Sequence, residues 1–107
     1  MKNQIPLPVD RALKKLGRDL SLARRRRKLS QDMLAERLGT SVSTIRRMED
    51  GHPGIAIQYV ARAMQVFGEL DRLNNLIDTA KDDIGLVMMD EKLPVRVRTP
   101  RPGDGVM

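Results

Sequence analysis

A chain of 107 residues with 40% apolar side chains has material for one compact core plus tails, not for two domains. Lys and Arg number 20 against 14 Asp and Glu, a net charge of +6 that calls for a polyanionic partner, and the lack of cysteine excludes disulfide staples and thiolate zinc sites. Only Tyr59 and Phe67 are aromatic, too few rings to stack the bases of a single strand, so the charge points to double-stranded DNA.

The first eight residues lack the apolar run of a secretion signal, and no stretch approaches the roughly 20 apolar residues that cross a bilayer. A cytoplasmic protein without membrane contact is expected. Val9, Leu13, Leu16, Leu20 and Ala23 recur at steps of three and four, which predicts a first helix from Val9 to Lys28 with one inward stripe. Ser30 caps a second helix, Gln31 to Leu38, that buries Leu34, Ala35 and Leu38 and stops at Gly39. Ser41 caps a third, with Ile45 and Met48 on one face and Gly51 and Pro53 marking its end. A fourth begins near Gly54 or Ile55, buries Ile57, Val60, Ala61, Met64 and Phe67, and closes at Gly68. A fifth runs from Glu69 to Ala80 on Leu70, Leu73, Leu76, Ile77 and Ala80. Beyond residue 83 the period changes to two: Ile84, Leu86 and Met88 alternate with Gly85, Val87 and Met89, and Val95 and Val97 with Arg96 and Arg98, which reads as short strands. The expected fold is therefore all-α, five helices within residues 9–81 followed by a short C-terminal β-strand. Residues 1–8 form a flexible arm, 84–98 a strand segment, and 99–107 a disordered tail.

The second and third helices carry the function. Ala35 lets them cross closely, Gly39 makes the tight turn between them, and Leu34, Leu38, Ile45 and Met48 lock the pair to the core. That leaves Val42, Ser43, Arg46 and Arg47 on the free face of the third helix. An arginine there can bond O6 and N7 of guanine together, so Arg47 is the candidate base reader, while Arg46, pointing sideways, holds a phosphate. The order Ser-Gln-x-x-Leu-Ala-x-x-Leu-Gly-x-Ser-x-Ser-Thr-Ile-x-x-Met-Glu-x-Gly over residues 30–51 resembles the helix-turn-helix of phage-repressor and Cro-like (XRE) regulators. The resemblance implies that Gln31 contacts a phosphate and that Ser41, Val42, Ser43 and Arg47 face the DNA, with Thr44 beside them on the backbone. Many relatives carry glutamine where this chain has Val42, so a thymine methyl replaces adenine as its expected contact.

Five cations, Arg24 to Lys28, end the first helix just before Gln31. Such runs also stabilise a helix C-terminus, so about two of the five, Arg27 and Lys28, are assigned to phosphates. His52, alone between Gly51 and Pro53, reads as a surface turn residue, and Glu49-Asp50 as capping and solubilising charges. No metal spacing, phosphate loop or nucleophile-base pair is found, so neither an enzyme nor a cofactor is expected.

The tail from Ile84 to Arg98 is similar to HipB-like antitoxins. That resemblance implies a toxin-antitoxin operon, autoregulation, and a HipA-like serine/threonine kinase toxin as protein partner. A lone strand leaves its backbone unpaired, so Ile84, Leu86 and Met88 are expected to pair with a second copy and make a homodimer on an inverted-repeat operator. The alternative is a protein-binding adaptor that keeps the fold without reading DNA, for which the net charge, Gln31 and Arg47 serve no purpose.

Overall fold

The computed structural model describes residues 4–79 and, beyond them, only Leu93, Arg96 and Thr99. Every regular element among the described residues is a helix: α1 (Leu7–Arg26), α2 (Gln31–Leu38), α3 (Val42–Glu49), α4 (Ile57–Val66) and α5 (Leu70–Asn74). The chain divides into two compact units between Leu76 and Ile77, and all five helices belong to the first. Apart from Leu93, Arg96 and Thr99, the segment expected to hold the strands and the disordered tail lies outside the described residues.

Helix α1 starts two residues earlier than the apolar stripe predicts, because Pro8 suits a first turn whose N–H groups have no partner, and Asp10 adds a favourable charge there. It also stops earlier. Lys28 takes a left-handed φ of 58°, and its N–H and that of Leu29 bond back to the carbonyls of Arg25 and Arg24. The same closure ends α2 at Gly39, α3 at Gly51 and α4 at Gly68, each with positive φ. Side-chain caps start the two middle helices: Ser30 Oγ accepts from Met33 N–H at 3.0 Å and Ser41 Oγ from Thr44 N–H at 3.1 Å.

Leu20, Leu29, Leu34, Ala35, Leu38, Ile45, Met48, Ala63 and Phe67 form the core. The inward stripe of α1 is shorter than expected, since Val9 and Leu16 are exposed and Leu13 only half-buried. There the helix meets the end of α3 through backbone instead. A Cβ on Gly17 would lie 2.4 Å from the carbonyl oxygen of Glu49, and one on Gly51 would lie 2.6 Å from Lys14 Cα.

Two expectations for the later helices fail. Ile57 is 69% exposed, because Ile55, just ahead of the N-cap, packs inward and lines one small cavity with Val60. That is the staple arrangement of a residue before the cap against the fourth helical residue, and it turns the first helical residue outward. Helix α5 is five residues long instead of reaching Ala80. It ends at Asn74-Asn75, residues whose side chains compete for backbone hydrogen bonds, and Leu76 is exposed, not buried.

Candidate nucleic-acid interface

The turn between α2 and α3 is built as its residues dictate. Gly39 has φ 69°, Ala35 is buried at the crossing, and Arg62 Nη1 on α4 donates to Leu38 O at 2.9 Å, satisfying a carbonyl at the end of α2. Ile45 and Met48 are buried, which fixes the rotation of α3 and leaves Ser43, Arg46 and Arg47 exposed. Val42 is half-buried and packed against the core, so only part of its side chain faces outward. The hydroxyls of Ser41 and Thr44 bond to each other at 3.1 Å at the helix start. Arg47 extends toward the following loop, where its Nη2 lies 3.9 Å from the place a Cβ added to Gly54 would take. That loop is pinned by Gly54 N–H donating to His52 Nδ1 at 2.9 Å, so His52 is an exposed turn residue with a defined partner.

Beneath this surface lies a network the sequence reading missed. Glu49, expected to be a solubilising charge, is buried. Its carboxylate accepts from Arg24 Nε at 2.7 Å and Nη2 at 3.1 Å, and from Gln31 Nε2 at 3.0 Å. Arg24 Nη1 also donates to Leu29 O at 2.8 Å, so one guanidinium ties α1, the α1–α2 turn and α3 together. The signal was present: Arg24 falls four residues after Leu20, on the inward stripe of α1, where a charge needs a buried partner. Gln31 is consequently held in place by Glu49. Its amide nitrogen carries two N–H groups, and one is committed to the carboxylate, leaving a second for another acceptor.

The cation run divides by task. Arg27 donates from Nη1 to Ala23 O and from Nη2 to Phe67 O, both at 2.9 Å, and lies 5.0 Å over the Phe67 ring. It closes the ends of α1 and α4. Lys28 is exposed at the left-handed position, Arg26 is exposed, and Arg25 makes only a long 3.4 Å bond to Ser21 O. A cleft of about 630 Å³ runs beside α3, lined by Arg18, Arg25, Arg46 and Gln31 among others. At its edge Asp19 is bonded by Lys15 at 2.6 Å, and that bond, with the positive charges of Lys15, Arg18 and Arg26, holds its carboxyl below the usual carboxylate range. Among the described residues no group of three or more His, Cys, Asp or Glu could hold a metal, and no helix is long and apolar enough to cross a membrane.

The helix-turn-helix geometry defines a DNA-binding regulator class, and a family model described as "Helix-turn-helix domain" matches residues 15–74. The chain belongs to that family. No curated protein and no solved structure matches the chain.

Proposed function

We propose that this protein is a sequence-specific repressor that inserts α3 into the major groove and binds an inverted repeat as a homodimer. The observation that carries this reading is the outer face of α3. Ser43, Arg46 and Arg47 are exposed on a helix whose opposite face, Ile45 and Met48, is locked in the core, so three polar side chains are presented in fixed rotation. Arg47 reads a base edge, Ser43 and the exposed part of Val42 add to the readout, and Gln31, Ser41, Thr44 and Arg46 hold the backbone. One eight-residue recognition helix spans too few base pairs for useful specificity alone, which favours a two-fold dimer with half-site centres about 34 to 36 Å apart.

The likeness of residues 84–98 to HipB-like antitoxins supports a narrower role: the operator-binding component of a toxin-antitoxin operon, autoregulating it and holding a HipA-like kinase. In that role Ile84, Leu86 and Met88 pair with the same strand of a second copy. Selecting duplexes from a random pool and sequencing those retained tests the DNA-binding reading. A palindromic consensus is expected. Equal affinity for the selected and a scrambled duplex, at about 150 mM salt, would leave the adaptor as the surviving reading. Truncation after Asp83 tests the strand, since light scattering should then report a monomer.

A further inference from the structure

Arg27 and Lys28, the cations closest in sequence to Gln31 before α2, do not line the cleft beside α3. Arg27 commits one N–H of each terminal nitrogen to the carbonyls of Ala23 and Phe67, which holds it at the ends of α1 and α4. The cleft beside α3 instead gathers Arg18 and Arg25, two helical turns apart on one face of α1, with Arg46 of α3 opposite and Gln31 at hand. All three arginines are exposed, and none has an ion-pair partner among the described residues. The acids lining the same cleft are already engaged, Glu49 by Arg24 at 2.7 Å and Asp19 by Lys15 at 2.6 Å, with Asp50 the exception. Three guanidinium groups around one concavity repel each other, and their fork of donors matches the oxygens of a phosphodiester.

We propose that Arg18, Arg25 and Arg46 form a phosphate clamp for the DNA backbone, carrying the contact from the recognition helix onto α1. This rests on the duplex-binding reading above and adds to it a site on a helix outside the helix-turn-helix. Arg46 couples the clamp to the reading helix, so a backbone seated in the cleft sets how α3 lies in the groove. Arg18 and Arg25 sit on α1 and touch no base, so their work is affinity and not sequence preference. Asp50, at the rim, opposes the bound phosphate.

The test is the salt dependence of binding to the selected duplex and to a scrambled one, followed by fluorescence anisotropy. Arg18→Ala and Arg25→Ala should each flatten the slope of log K against log salt by about 0.9 per lost contact in each protomer, with the ratio of the two affinities unchanged. Arg72→Ala, at an exposed cation on α5 that is paired with Glu69, should leave the slope as in wild type. Asp50→Asn should tighten both duplexes alike. Inorganic phosphate at matched ionic strength should compete no better than chloride, whereas selective competition would assign the cleft to a free anion and overturn the clamp. Wild-type binding with unchanged slopes in both α1 variants overturns the clamp alone; a wild type that binds no duplex overturns the parent reading as well.

Discussion

The guanidinium of Arg24 on α1 is held against the carboxylate of Glu49 at the end of α3 by two bonds, of 2.7 and 3.1 Å, and both side chains are buried. Removing one partner of such a pair leaves an uncompensated charge inside the protein, which costs about 3 to 5 kcal/mol. Glu49→Ala and Arg24→Ala should each lose stability in that range in urea denaturation. The double variant Arg24→Met/Glu49→Leu should recover most of the loss, because an apolar pair of similar volume carries no desolvation cost. Single-variant losses below about 1 kcal/mol would mean that water reaches the pair and that it does not fix α3.

Gly17 gives a prediction whose sign separates local propensity from packing. Propensity alone makes Gly→Ala in the middle of a helix stabilising by about 1 kcal/mol. Here the added methyl would sit 2.4 Å from the Glu49 carbonyl oxygen and 2.8 Å from the Gly51 nitrogen, both backbone atoms that cannot swing away. Forcing the two segments apart should cost about 1 to 3 kcal/mol, so Gly17→Ala lowers the melting temperature. A higher melting temperature would show that α1 and the end of α3 separate without penalty.

Four helices end in the same left-handed closure, and three of them use glycine while α1 uses Lys28 at φ 58°. A side chain in that conformation costs about 1 to 2 kcal/mol, part of which glycine gives back through its freer unfolded chain. Lys28→Gly should therefore stabilise the fold by roughly 0.5 to 1 kcal/mol. Lys28→Ala, which keeps the strain, should not. Comparing the two by chemical denaturation isolates the backbone effect from the loss of charge.

What was legible in the sequence was whatever short-range chemistry decides. Ser30 and Ser41 announce the starts of α2 and α3, Gly39 and Gly51 their ends, and the spacing of Leu34, Leu38, Ile45 and Met48 the face that must be buried. The failures lie where a residue's role depends on a partner distant in the chain. Glu49 looks like one more acid until Arg24, 25 residues earlier, is placed against it. Arg27 looks like a free cation until Phe67 arrives under it, 40 residues on. Ile57 has the right period for the inner face of α4, and only the inward packing of Ile55 decides the rotation. The outward face of α3 was readable because it is what remains when the inward face is known.

The sharpest functional prediction contrasts two residues that the fold holds in different ways. Arg47 is exposed on α3 and its guanidinium makes no hydrogen bond to another described residue, so its donors are free to meet a base edge, and a bidentate guanine contact discriminates by about 1 to 3 kcal/mol. Gln31 is fixed by Glu49, and its remaining N–H can reach only what lies at the start of α2, where a backbone phosphate is the fitting acceptor. Arg47→Ala should thus weaken the selected duplex by about 1 to 3 kcal/mol and relax preference at one base pair, with scrambled DNA nearly unaffected. Gln31→Ala should weaken both duplexes by the same factor. Gln31→Glu should weaken both further, since it sets a second carboxylate beside Glu49 and faces a phosphate with an anion. Titrating both duplexes with the three variants decides the assignments. If Arg47→Ala lowers both affinities equally, Arg47 holds the backbone, and reading passes to Ser43 and Val42.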